Sequence, residues 1–177
     1  MTALLTNAHV YRAIAEEALA EAVRLEAAAR APKPDGSPGF VIQLDPERRS
    51  FKKSLVAIAF SGIYLEAVLF VHGTFRMGPD WEKKFDRKLY EEKLKALGIT
   101  DKDLLASAKR LREVRNELIH EKARPLDTAA LSNNYWAQTE ASASVALVQT
   151  IAARLAGAAL PSSGPSLPGL RQPPRSA

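Results

Sequence analysis

From Leu55 to Val71 the chain carries a single charge, Glu66, and its apolar residues occupy every side of a helical wheel. That pattern predicts a central, buried helix over roughly 47–72. A membrane span is the competing reading. The run is short for one, is interrupted by Ser61, Gly62, Tyr64 and Glu66, and has no second span to pair with, so a core helix is the better expectation.

The remaining elements follow from where apolar periodicity starts and stops. Residues 4–31 are rich in Ala and Glu and lack Gly and Pro; they predict one long helix with a weak stripe of Leu5, Val10, Ile14, Leu19 and Val23. The segment "APKPDGSPG" ends it as a loop, and "FVIQL" reads as a short extended piece. "HGTFRMGPD" (72–80) predicts another loop. A charged helix follows over 81–97, with Phe85, Leu89, Leu94 and Leu97 as its apolar residues and Gly98 as its stop. Thr100 is a good N-cap for a helix over 101–122, which Pro125 closes. Ser132 can cap the last helix, over 133–158. There Val145, Val148, Ile151 and Leu155 face inward and Trp136 stands near the start. Residues 161–177 hold five prolines and almost no core formers, which predicts a disordered tail.

These elements define an all-α class: an up-and-down bundle of about five helices in a single domain over residues 1–160. The length of 177 residues suits one domain with an ample core. The absence of cysteine excludes disulfides, thiolate metal sites and cysteine nucleophiles, and suits a reducing cytoplasm. Glu16, Glu17 and Glu21 stand where a signal peptide would need an apolar core. The net charge of +5 permits an anionic partner without demanding one.

The pattern breaks once, in "KRLREVRNELIHEKARP" (109–125). Leu104, Ala108, Leu111, Leu118 and Ile119 share one face of their helix, and Arg115 falls in the middle of it. A buried charge needs a partner, a cleft or an interface. Glu66, the lone charge of the other buried helix, is the expected ion-pair partner. His120 lies about 140° from Arg115 on an ideal wheel, near a helix C-terminus where the dipole favours the imidazolium. A solvated or capping histidine is the plain alternative to a functional one. His9, His72 and His120 are scattered, and none stands at metal-ligand spacing from another, so no metal is expected.

The string Arg115-Asn116-Glu117-Leu118-Ile119-His120 resembles the R-N-x-x-x-H signature of HEPN domains (higher eukaryotes and prokaryotes nucleotide-binding). The upstream "AIAFSGIYLEAVLF" resembles the apolar helix of that family, with Glu66 as the acidic residue of its "LEA"-type stretch. The resemblance covers roughly residues 50–157. It implies an up-and-down helical bundle that commonly dimerises. It also implies, in many members, a metal-independent and cofactor-free endoribonuclease acting as a toxin or defence component. Arg115 and His120 would then carry the activity across a homodimer, with RNA as substrate and a nucleotidyltransferase-like antitoxin as a possible partner. The residue types suit that chemistry. The 2′-hydroxyl of RNA is a built-in nucleophile, a histidine near neutral pKa can move its proton, and a fixed arginine can hold the phosphate. Asn116 would orient the phosphate or the imidazole. Some toxin members carry tyrosine two residues beyond the histidine, where this chain has Lys122, and other members only bind nucleotides or scaffold a partner.

Three functions therefore stand open: an endoribonuclease, a non-catalytic binding or dimerisation module, and a plain bundle with a paired Arg115. Between 82 and 124, Lys and Arg outnumber Asp and Glu by 13 to 9, but the signs are interleaved. This is more the pattern of a solvated helix surface than of an RNA track. Phe85 and Tyr90 are the only aromatic residues there that could stack on a base.

Overall fold

The computed structural model describes residues 6–42, 47–119 and 132–158. The protein is all-α, with six helices among those residues: α1 (Ala8–Ala28), α2 (Arg49–Met77), α3 (Asp80–Phe85), α4 (Tyr90–Ala96), α5 (Lys102–Ile119) and α6 (Ser132–Ala158). A two-stranded antiparallel ribbon, β1 (Arg30–Pro32) and β2 (Phe40–Ile42), closes the loop between α1 and α2, with Ala31 opposite Val41. The extended reading of the "FVI" segment meets its partner in Arg30–Pro32, one residue past the end of α1. The expected tail, 161–177, lies outside the described residues.

α2 is the centre. It packs against α1 and α6 most extensively and also touches α3, α4 and α5. Half of its most apolar 18-residue window is buried inside the protein, as expected of a helix covered by neighbours. It runs past the loop expected at 72–80, to Met77. Gly73 did not break it, because a helical glycine costs only about 1 kcal/mol against alanine and here serves packing. A Cβ at Gly73 would collide with the Trp81 ring, which is buried and stacked on Phe85 at 4.6 Å between centroids. The chain turns at Gly78, whose φ of 63° suits glycine.

α1 docks through small residues rather than through the expected stripe. Ala15, Ala18 and Ala22 are buried, while Val10 and Val23 remain more than 40% exposed. The facing helix also offers small residues, Ser54, Ala57 and Ser61, all fully buried. Ser50 Oγ donates to the Ala22 carbonyl at 3.1 Å, fixing the two backbones at close range. A stripe of larger residues would have held the helices further apart. On α6, by contrast, Val145, Val148, Ile151 and Leu155 are buried as the spacing requires.

The helix expected at 81–97 is two helices. α3 ends at Phe85, and α4 restarts at Tyr90, where Glu92 Oε2 accepts the Leu89 N–H at 3.1 Å. α4 ends in a full Schellman motif: Gly98 has φ 85°, Ile99 N–H donates to Leu94 O, and Gly98 N–H donates to Lys95 O. The cap of α5 is Asp101 rather than Thr100. Asp101 Oδ1 accepts the N–H groups of Asp103 and Leu104 at 3.0 and 3.2 Å. These bonds, with Arg154 beside it, hold the Asp101 carboxyl below its usual pKa.

Gly73→Ala is expected to destabilise the protein by about 1–3 kcal/mol in urea unfolding, because overpacking against Trp81 outweighs the gain in helix propensity. Asp101→Asn is expected to keep most of the cap. A depressed native pKa contributes stability above the unfolded value of about 3.9 and loses it as pH falls through the folded value. The melting-temperature gap between wild type and Asp101→Asn should therefore shrink on acidification.

Candidate functional site

Arg115 lies where α5 crosses α2 and α4. Its helix buries Ala108, Leu111 and Val114 on the core side, and Arg115 itself is half-buried. One helical turn earlier, Arg112 Nη2 pairs with Glu91 Oε1 at 3.3 Å and fastens α5 to α4.

The ion pair expected between Arg115 and Glu66 does not form. Glu66 Oε2 accepts from Lys93 Nζ of α4 at 2.7 Å. Arg115 Nη1 instead donates to the Tyr90 hydroxyl at 2.9 Å. The register of α4 explains the exchange. Tyr90 and Lys93 are three residues apart, so they share one face of α4. That face meets α2 along Gly62 and Glu66, which lie four apart on theirs. Lysine is therefore opposite the carboxylate, and tyrosine is opposite the glycine. The Lys93 side chain is 6% exposed and that of Glu66 42%, so the pair is dry at its cationic end and wet at its anionic end.

Gly62 is what lets Arg115 through. A Cβ there would stand 2.8 Å from Arg115 Cδ and 3.4 Å from the Tyr90 hydroxyl. Tyr90 is buried, and its hydroxyl lies 3.5 Å from the Gly62 carbonyl, at the long limit of a hydrogen bond. Burial pushes its pKa up, as does the Glu66 charge, with Arg115 opposing both. The hydroxyl therefore stays protonated at neutral pH and can accept from Arg115 while directing its own proton elsewhere. Among the described residues, no carboxylate is in ion-pair contact with Arg115, and its one hydrogen bond is to Tyr90.

Asn116 is exposed on the next position of α5. His120 lies outside the described residues. His72 is half-buried on α2, and burial with Arg76 nearby lowers its pKa, leaving it neutral at pH 7. Neither expected stacking platform is open. Tyr90 is 2% exposed, and Phe85 is packed against the core on Trp81. A cleft of about 320 Å3 opens beside Glu66 and Lys93, walled by Phe70, Trp81 and Asp86, but neither Arg115 nor Asn116 lines it.

Sequence reasoning missed Tyr90, Lys93 and Gly62. A glycine inside an otherwise unbroken apolar helix signals close approach by a neighbour, and that signal was present in "SGIYLE". Nothing local to Tyr90 or Lys93 announced their role, since both depend on the register of a seven-residue helix.

Comparison with protein-family models, curated proteins and solved structures finds no match for this chain.

Glu66→Ala is expected to destabilise the fold by about 1–3 kcal/mol. That is below the 3–5 kcal/mol of a fully buried pair, because Glu66 is half in water. Lys93→Met should stay within about 1.5 kcal/mol of wild type, since methionine fills the buried volume and Glu66 can hydrate. Equal losses in the two variants by chemical denaturation would reject this asymmetry.

Proposed function

We propose that this chain is a metal-independent endoribonuclease of the HEPN type, using a composite site in which Arg115, Asn116 and His120 of two copies face one RNA strand. The observation that carries the reading is the state of Arg115. It is half-buried, tethered to a neutral hydroxyl, and in contact with no carboxylate among the described residues. A guanidinium taken partly out of water and left without a counter-charge favours an anion, and phosphate matches its planar donor fork. The replacement of Glu66 by Tyr90 as its partner removes the main argument for a purely structural ion pair.

The chemistry needs little else. One His120 removes the 2′-hydroxyl proton as that oxygen attacks the adjacent phosphorus. The 5′-oxygen leaves with a proton from a second acid, the role this reading gives to the partner copy's histidine. Arg115 stabilises the charge that builds on the non-bridging oxygens. A cytoplasmic toxin or defence role, held in check by a nucleotidyltransferase-like antitoxin, belongs to the same reading. A binding and dimerisation module is the alternative, favoured by the exposed Val56 and Phe70 beside half-buried Ile63 and Ala67 on α2.

The test is cleavage of a mixed RNA pool in EDTA by wild type, Arg115→Ala and His120→Ala, with light scattering on each. A dimeric wild type that cleaves, and variants at least about 100-fold slower with unchanged melting, are expected. Folded, dimeric and inactive wild type would move the assignment to the binding module. A monomer across the micromolar range would count against the composite site.

A further inference from the structure

The Arg115 side chain is restrained at two points by residues far from it in sequence. On one side its Cδ passes over Gly62, where any side chain would collide with it. At its end, Nη1 is tied to the Tyr90 hydroxyl. Tyr90 cannot itself meet a ligand, because it is 2% exposed. Nor can it drift, because it opens α4, a short helix locked at its far end by the Gly98 Schellman motif and pinned to its neighbours by the Lys93–Glu66 and Glu91–Arg112 pairs. A phenylalanine would fill the same ring volume, so the hydroxyl is the part of the residue that packing alone does not require.

We propose that Tyr90 is the positioning residue for Arg115, holding its guanidinium over Gly62 so that its remaining N–H donors are set for a phosphodiester oxygen of RNA. The inference rests on the ribonuclease reading and deepens it. Arginine has five N–H donors in a rigid fork, and one hydrogen bond to a fixed neutral acceptor orients the plane without neutralising the charge. A carboxylate in place of Tyr90 would orient it equally well but would compete with the phosphate. An untethered arginine would have to be ordered at each binding event, and a small misplacement weakens transition-state contact steeply.

A double-mutant cycle in the full-length protein tests this: wild type, Tyr90→Phe, Arg115→Ala and the double variant, read as kcat/KM for RNA cleavage. If the tyrosine acts through the arginine, Tyr90→Phe alone lowers kcat/KM roughly tenfold, and within the Arg115→Ala background it changes the rate less than about twofold. Equal losses in both backgrounds would show a merely structural role and overturn the proposal while leaving the ribonuclease standing. So would a Tyr90→Phe enzyme as fast as wild type. If Tyr90→Phe does not fold, Gly62→Ala takes its place in the cycle with the same expectations, since it displaces Arg115 Cδ from the other side. If wild type does not cleave, the cycle is read as affinity for a 2′-O-methyl oligoribonucleotide. The ribonuclease reading has then already fallen; binding weakened less than about twofold by Tyr90→Phe, or left unchanged by Arg115→Ala, would overturn the positioning role as well.

Discussion

α2 has to be covered on every side, and the rest of the structure is arranged around that requirement. Its apolar residues form no single stripe, so no single neighbour can bury them. Small residues of α2 admit its neighbours closely at several points. Ser54, Ala57 and Ser61 are fully buried in the core, Gly62 admits Arg115, and Gly73 admits the Trp81 ring. The side chain at each of these positions decides what can stand opposite. The buried helix therefore acts as a template that sorts its neighbours by the space it leaves.

The same geometry sorts the charges. Two basic residues, Lys93 and Arg115, reach the α2 surface within about one turn of each other, and among the described residues α2 offers them one carboxylate, Glu66. The lysine takes it. Its ammonium is a compact, strongly hydrated charge that would be the more expensive to bury unpaired. The guanidinium is less strongly hydrated and can rest its stem along apolar surface, so a phenolic hydroxyl suffices. The outcome is an asymmetric pair of sites. One is internally neutralised beside a cleft, and the other is a cation held by a neutral hydroxyl, with no carboxylate in contact among the described residues.

Much of this fold could be read from periodicity. The central helix, the Gly98 stop, the inward face of α6 and the all-α class each follow from contrasts within a single element. What misled that reading was local composition that could be satisfied in more than one way. Gly73 and Gly78 in "HGTFRMGPD" suggested a loop, yet its first six residues complete α2 because Trp81 fills the space that Gly73 leaves. The α1 stripe of larger residues suggested a face, but the alanines between them allow the closer approach.

The candidate site divides in the same way. That an arginine interrupts the apolar face of α5, and that the central helix carries one acid among apolar residues, is legible in the order of residues. Both are properties of one helix wheel. Which charge meets which was decided by tertiary structure alone. It depends on the break at 86–89 that starts α4 at Tyr90, and so on whether residue 90 or 93 stands opposite Glu66. A shift of one residue in that short helix would turn its contact face by about 100° and reassign both partners. No pattern within α2, α4 or α5 encodes that register; it is set by how the three helices fit together.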